Sequence, residues 1–283
     1  MRHTIFTDQT GKFPITSSIG HKYIIILCAI NGNVVLAQPM KNKSEVAMVE
    51  KYQHLIKRLN DARIFPKKHI FDNKISNGYK EAIEATGMTW ELVPVGMHRR
   101  NVAEKTTQTF KGHSKGIICG VVDDFTMNLW DRLIPQEELT CNLLHQSNVA
   151  PKVSAQAYAF GPHDFNRMPL APMGCAVQIH EKTSKRKTWG VHSVYGWYLH
   201  TSPHHYRCYE VWSKHTGAER ILDTVFFKHK HITNPTMSPE DAVVQAAKEL
   251  TAALKGRMPS ALEGSTVQEL EKLDSKRKTW GVH

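Results

Sequence analysis

Two apolar runs, Tyr23-Ile-Ile-Ile-Leu-Cys28 and Val34-Val-Leu-Ala37, are joined through Asn31-Gly32-Asn33. Short runs rich in branched residues on either side of an Asn-Gly turn predict a β-hairpin. The first run lacks polar alternation, so it reads as a strand buried on both faces. Upstream, His3-Thr-Ile-Phe-Thr-Asp8 reads as a further strand, closed by the turn-prone Gln9-Thr-Gly11, with Asp8 at its C-terminal end. The chain therefore opens with three strands.

Apolar residues then recur in steps of three and four at Val46, Val49, Tyr52, Leu55, Ile56 and Leu59, which predicts a helix with Ser44 as its N-cap. A fourth strand covers Lys67–Phe71 and ends at Asp72. A short helix around Tyr79–Ala85 stops at Gly87, and a fifth strand covers Thr89–Val93. A long helix is expected from Arg100 to Cys119, and another from Leu129 to Leu144, with Leu129, Leu133, Leu139 and Leu143 on one period. Strands and helices in this order predict an α/β layout with a mixed sheet.

Pro169 and Pro172 bracket a linker at Phe165–Pro172. Beyond it, short aromatic strands are expected at Val177–His180, Trp197–His200, Arg207–Trp212 and Ile221–Phe227, separated by Gly, Ser and Pro turns. That pattern suits a small, barrel-like all-β module with Trp197, Tyr198, Tyr206, Tyr209 and Trp212 crowding its interior. A helical tail starts at Ser238-Pro239-Glu240-Asp241, with Gly256 as its stop. The expected divisions are 1–164, 165–236 and 237–283. The segment SKRKTWGVH occurs identically at 184–192 and 275–283, with no repeating structural unit around it, so it reads as a local duplication.

The chain carries 37 Lys and Arg against 26 Asp and Glu, a formal charge of +11. Such a surplus favours polyanionic partners, because each neutralised phosphate releases condensed counterions. Five cysteines without a CxxC pair argue against a disulfide framework or a Cys-based zinc site and fit a reducing compartment. The longest apolar run, Tyr23–Ile30, is too short to span a bilayer, and no signal peptide opens the sequence. A soluble, intracellular protein without a membrane partner is expected.

Asp8 and Asp72 end predicted strands, and Glu104 lies in the first turns of the long helix. If the two strands are parallel neighbours, their carboxylates converge at one end of the sheet, where α/β folds gather ligands. Few carboxylates and many open positions suit Mg²⁺, and two such ions can serve phosphodiester chemistry. The plainer reading makes both aspartates turn formers and Glu104 a partner of the helix dipole. The residue types alone leave both open.

The surrounding words add to this. Thr7-Asp8-Gln-Thr-Gly11-Lys-Phe-Pro14, Phe71-Asp72-Asn73 and Asn101-Val-Ala-Glu104-Lys-Thr-Thr-Gln-Thr-Phe-Lys111 resemble the three acidic blocks of copia-type retrotransposon integrases, in order and in context. The resemblance covers about residues 3–165. It implies an RNase H-like core, a mixed five-stranded sheet flanked by helices, with Asp8, Asp72 and Glu104 as catalytic residues holding two Mg²⁺ or Mn²⁺ ions. It also implies DNA strand transfer with element ends and target DNA as partners, a homo-oligomer when active, and a place in the nucleus. Gln108 and Lys111 follow Glu104 at i+4 and i+7 and share its helix face, which makes them candidate contacts to the element's DNA end. Arg99 and Arg100, in the basic cluster His98-Arg99-Arg100, are candidate phosphate contacts.

The sequence also departs from the family pattern. Lys74 stands just after Asp72-Asn73, where the family has an acid or glycine, and His98-Arg99-Arg100 replaces a glycine-containing turn. The His/Cys zinc module that precedes such cores is not in the sequence. A second reading follows, a catalytically silent or domesticated nucleic-acid-binding remnant of such an integrase. A third, an RNase H-like nuclease on RNA–DNA hybrids, lacks the extra acidic ligand and leaves the β module unexplained.

Overall fold

Asn33 takes a left-handed φ of 54°, and its amide bonds the Ile30 carbonyl at 3.2 Å. This turn joins β2 (Tyr23–Ala29) to β3 (Val34–Met40), as the Asn-Gly signal predicts. Only glycine fits at position 32, because a Cβ there would stand 2.4 Å from the Tyr158 ring. The structure, a computed structural model, describes residues 3–71, 76–93, 102–181, 189, 192–228, 247 and 250. Residues Met1–Lys230 form one compact unit. In a second, His231–His283, the described residues are Ala247 and Leu250, both helical and exposed.

The first sheet has the order β3-β2-β1-β4-β5. β1 (Thr4–Gln9) runs antiparallel to β2, and β2 antiparallel to β3. β4 (Lys68–Phe71) and β5 (Thr89–Leu92) are parallel to β1 and to each other. This is the RNase H-like mixed five-stranded sheet, and helices cover both of its faces.

Helix α1 (Glu45–Asp61) starts at Ser44, whose hydroxyl accepts the Ala47 amide at 3.4 Å. It buries Tyr52, Leu55, Ile56 and Leu59 against Ile5, Ile25, Leu27 and Leu36, and α2 (Asn77–Glu84) adds Tyr79 and Ile83 to the same core. The opposite face carries Ile24, Ile26, Val35 and Ala37, packed with Phe110 of α3 (Val102–Gly120) and with Trp130, Ile134 and Cys141. The helix expected over Leu129–Leu144 is divided into a 3₁₀ turn, Met127–Arg132, and α4 (Ile134–Leu144). Pro135 explains the break, since it has no amide to give the carbonyl four residues back. A short helix, α5 (Ala155–Phe160), was not expected from the sequence; Ser154 caps it by accepting the Ala157 amide at 3.1 Å.

The second sheet is wholly antiparallel, in the order β10-β6-β7-β8-β9, from β6 (Ala176–His180), β7 (Ser193–Thr201), β8 (Tyr209–Ser213), β9 (Ala218–Leu222) and β10 (Val225–Lys228). The single strand expected over Ile221–Phe227 is two strands, interrupted at Asp223 and Thr224. These two strands occupy opposite edges of the sheet. Two linking residues reach about 11 Å at most. The edges of a flat five-stranded sheet would stand about 19 Å apart. The sheet must therefore curl until its edges approach. Val177, Ile179, Tyr198 and Val211 fill one core with Phe125, Leu129 and Leu133, so this sheet shares its interior with the segment between α3 and α4. Tyr206, expected inside with the other aromatics, is 65% exposed.

Candidate active site

Asp8 stands opposite Ile26 in the β1–β2 ladder. Paired residues point to the same face of a sheet, and Ile26 packs with Phe110 of α3. Asp8 is thus directed to the α3 side. It is half-buried, and one carboxylate oxygen accepts the Gln9 amide at 2.7 Å. Among the described residues no cation pairs with it.

Helix α3 turns Ala103, Thr107, Phe110 and Ser114 to the core. Glu104, Gln108 and Lys111 fall together on the flank of that face, with Glu104 and Lys111 half-buried and Gln108 exposed. Gln108 Nε2 donates to Glu104 Oε1 at 3.5 Å. The structure thus brings Asp8 and the helix carrying Glu104 to one side of the sheet. Oxygen donors of this kind are what hard divalent cations take. Asp72, Lys74, Arg99 and Arg100 lie outside the described residues, as does the Lys185–Lys187 run. Among the described residues no three His, Cys, Asp or Glu side chains form a metal-holding cluster.

β1 and β4 are parallel neighbours, and the last described pair in their ladder is Thr7 with Phe71. Behind this pair, on the α1 side, lies a group of polar residues that sequence reasoning passed over. His69 is fully buried, and its Nε2 shares a hydrogen bond with Thr7 Oγ1 at 2.9 Å. Its ring stacks on Tyr52, with centroids 5.3 Å apart, and Tyr79 Oη lies 3.5 Å from the same threonine oxygen. Burial lowers the imidazole to about 3, so the ring is neutral. The alternation of Lys68 and Ile70 with His69 and Phe71 is the signal that could have placed His69 on the inner face.

A further trio deserves to be set aside on geometry. Ser17, His21 and Asp131 lie together, with His21 Nδ1 2.7 Å from Asp131 Oδ2. Ser17 Oγ, however, accepts the His21 backbone amide and makes no bond to its ring, so this is no nucleophile–base pair. Burial opposes ionisation of Asp131, but hydrogen bonds from His21 and Ser17 and the Arg132 charge outweigh it and hold the carboxyl below its ordinary range.

No protein-family model matches the chain, and no curated protein matches it. Among solved structures, it is similar to the catalytic core domain of BIV integrase, at 14% identity and a TM-score of 0.42, covering 56% of this chain and 94% of that one. It is also similar to a chain in the simian T-cell lymphotropic virus intasome in complex with PP2A regulatory subunit B56 gamma, at 12% identity and a TM-score of 0.45, covering 78% of this chain and 76% of that one. At such identities and scores neither likeness speaks to activity. The class of the fold rests on strand order and direction. Among the described residues no helix is long and apolar enough to cross a membrane.

Proposed function

We propose that this chain is an integrase-type polynucleotidyl transferase of the copia retrotransposon kind, with Asp8, Asp72 and Glu104 as its acidic triad. One observation carries the reading. β1 and β4 run side by side in the same direction as far as Thr7 and Phe71, and the residue that follows each of these in sequence is an aspartate. The helix bearing Glu104 covers the face to which Asp8 points.

In this reading the three carboxylates hold two Mg²⁺ or Mn²⁺ ions. Such ions, when bound, activate the attacking oxygen and stabilise the leaving one in phosphodiester transfer. The chain's own task is to place and neutralise DNA. Gln108 and Lys111, on the Glu104 flank of α3, meet phosphates of the element's end, and Arg99 and Arg100 meet phosphates beside them. The charge of +11 draws both element and target DNA to the protein. Residues 1–164 carry the chemistry, 165–236 form the curled β module, and 237–283 form a tail. The working form is a homo-oligomer in the nucleus.

The experiment is Mn²⁺- or Mg²⁺-dependent joining of an element-end duplex to target DNA, run beside Asp8→Asn and Asp72→Asn. Wild type should join strands, and both variants should fall to background. Equal activity in all three proteins would reject the triad. The second reading, a silent remnant, is favoured by Lys74, whose ammonium beside two metal-binding carboxylates would compete with the cations. Tight Mn²⁺ binding by wild type with no gain in Lys74→Glu would count against it.

A further inference from the structure

We propose that His69 is a positioning residue: its hydrogen bond to Thr7 pins β1 to β4 and so fixes where Asp8 stands relative to the C-terminal end of β4. The inference rests on the function proposed above and adds to it a group on the opposite face of the sheet.

The geometry is specific. In the parallel ladder His69 stands opposite Ile5, and Thr7 opposite Phe71, so the 2.9 Å bond between their side chains runs diagonally across the pair. Among the described residues the ladder contains four pairs, from Thr4 with Lys68 to Thr7 with Phe71. A slip of one residue would turn one of the two side chains to the other face, and a slip of two would pull them apart. The bond therefore selects one register in a short pairing.

The ring's orientation is also set. Tyr52 of α1 stacks on it in a nearly parallel plane, and Phe71 meets it edge-on with centroids 5.1 Å apart. Its Nδ1 is buried without a hydrogen-bond partner among the described residues. A phenylalanine in this pocket would avoid that cost, so packing alone gives no reason for an imidazole. Its distinctive contribution is the Nε2 bond. That bond is made to the residue immediately before Asp8, from the strand that leads to Asp72.

Groups that orient a metal ligand from behind usually change metal affinity by about 10–100-fold when lost. His69 acts one residue away from the ligand, so the expected loss lies near the lower figure. The test is isothermal titration of the full chain with Mn²⁺, at a temperature where each variant is folded by circular dichroism. Thr7→Val removes the hydroxyl and keeps the shape, His69→Phe keeps the stacking, and Thr7→Ser restores the bond. Asp8→Asn reports separately on the site itself. Amide exchange across β1 and β4 gives a readout independent of metal.

The expected result is about tenfold weaker Mn²⁺ binding in Thr7→Val and His69→Phe, with Thr7→Ser close to wild type. Exchange should be faster in β1 and β4 and unchanged in α3 and the second sheet. If Thr7→Val fails to fold, His69→Phe carries the same comparison. Wild-type Mn²⁺ affinity in both variants, with binding lost in Asp8→Asn, would overturn the positioning role and leave the site intact. If wild type binds no Mn²⁺, or Asp8→Asn changes nothing, the site reading falls, and exchange alone decides. Faster exchange confined to β1 and β4 would uphold the pin, and unchanged exchange would end it.

Discussion

Helices α1 and α4 cover opposite faces of the same sheet by different chemistry. α1 buries Tyr52, Leu55, Ile56 and Leu59, a contact that depends on area and shape. α4 buries Gln136, Glu137, Glu138 and Asn142 beside Ile134 and Cys141. Each of those polar groups meets a distant partner. Asn142 accepts the Val35 amide at 2.8 Å and donates to the Val35 carbonyl at 2.7 Å. Glu138 accepts the Ala37 amide at 2.8 Å and two Arg58 nitrogens. Gln136 donates to the Ala171 carbonyl at 2.7 Å and accepts from Tyr198 and the Thr201 amide.

The difference has a consequence for the edge of the sheet. β3 is an edge strand whose open backbone would invite another strand, and α4 covers it by pairing side chains with Val35 and Ala37. An apolar face tolerates many arrangements, whereas α4 fits in one place because its donors and acceptors must all be met.

The largest effects should come from disrupting either helix contact, the polar fit of α4 or the packing of α1. Glu138→Leu leaves the Arg58 guanidinium unpaired and the Ala37 amide unmet. Losing one partner of a buried ion pair costs about 3–5 kcal/mol. Arg58 keeps some contact with water, so we expect about 3 kcal/mol here by the same rule. Leu55→Ala in α1, a pure loss of packing, should cost about 2–5 kcal/mol. Equilibrium denaturation measures both. The polar variant should in addition self-associate with rising concentration, as an uncovered edge permits, and the α1 variant should not. A neutral, monomeric Glu138→Leu would erase the contrast between the helices.

The same contrast governs how much could be read in the sequence. The hairpin around Gly32 and helix α1 follow from periodicity and turn residues, which act locally; the parallel pairing of β1 with β4 joins residues more than sixty apart and stood in the sequence only as a condition. Nor does the buried side of α4 follow from local pattern. Gln136 to Glu138 look like a solvated run until Ala171, Ala37 and Ser114 are brought to them from elsewhere in the chain. Leu144, which extends the apolar pattern of that helix by one residue, is 74% exposed. Of the candidate site, Asp8 and Glu104 could be named from strand-end and helix-start positions, but His69 could not. Its importance depends on a diagonal contact between strands far apart in sequence. Equally hidden was the two-residue interruption at Asp223 and Thr224, which divides one expected strand into β9 and β10.

A smaller, pH-dependent effect should sharpen the comparison. Glu137 is buried between α4 and α3, where its carboxyl takes the Ser114 hydroxyl at 2.6 Å, and burial raises it from 4.5 to about 7. The folded protein then holds a proton that the unfolded chain releases. The associated stability is full below about pH 4.5 and is lost as pH rises through about 7. At one unit per 1.36 kcal/mol the loss is on the order of 3 kcal/mol. Glu137→Gln should remove this dependence, gaining on wild type between pH 6 and 8 by about that order. Parallel stability profiles for the two proteins across this range would show that Glu137 ionises at no cost. No equivalent slope should arise from the apolar face of α1.

The smallest expected effect concerns Val46, the first apolar residue of the pattern that predicts α1. The pattern places it on the stripe with Val49 and Tyr52, yet it is 78% exposed, one turn short of the sheet. Val49 is half-buried, and full burial begins at Tyr52. The helix start is held instead by the Ser44 cap and by Glu45 in its first turn. Val46→Ala removes almost no buried surface, and alanine is the better helix former, by a fraction of about 0.7 kcal/mol. We therefore expect a slight gain, within about 0.5 kcal/mol. Ser44→Ala, two residues earlier, should cost about 1 kcal/mol by losing the cap. Measured side by side in urea, the pair separates what periodicity suggests from what contact supplies. A loss at Val46 equal to that at Ser44 would mean that the first turn of α1 is packed after all, and that the apolar face begins a turn earlier than its buried residues show.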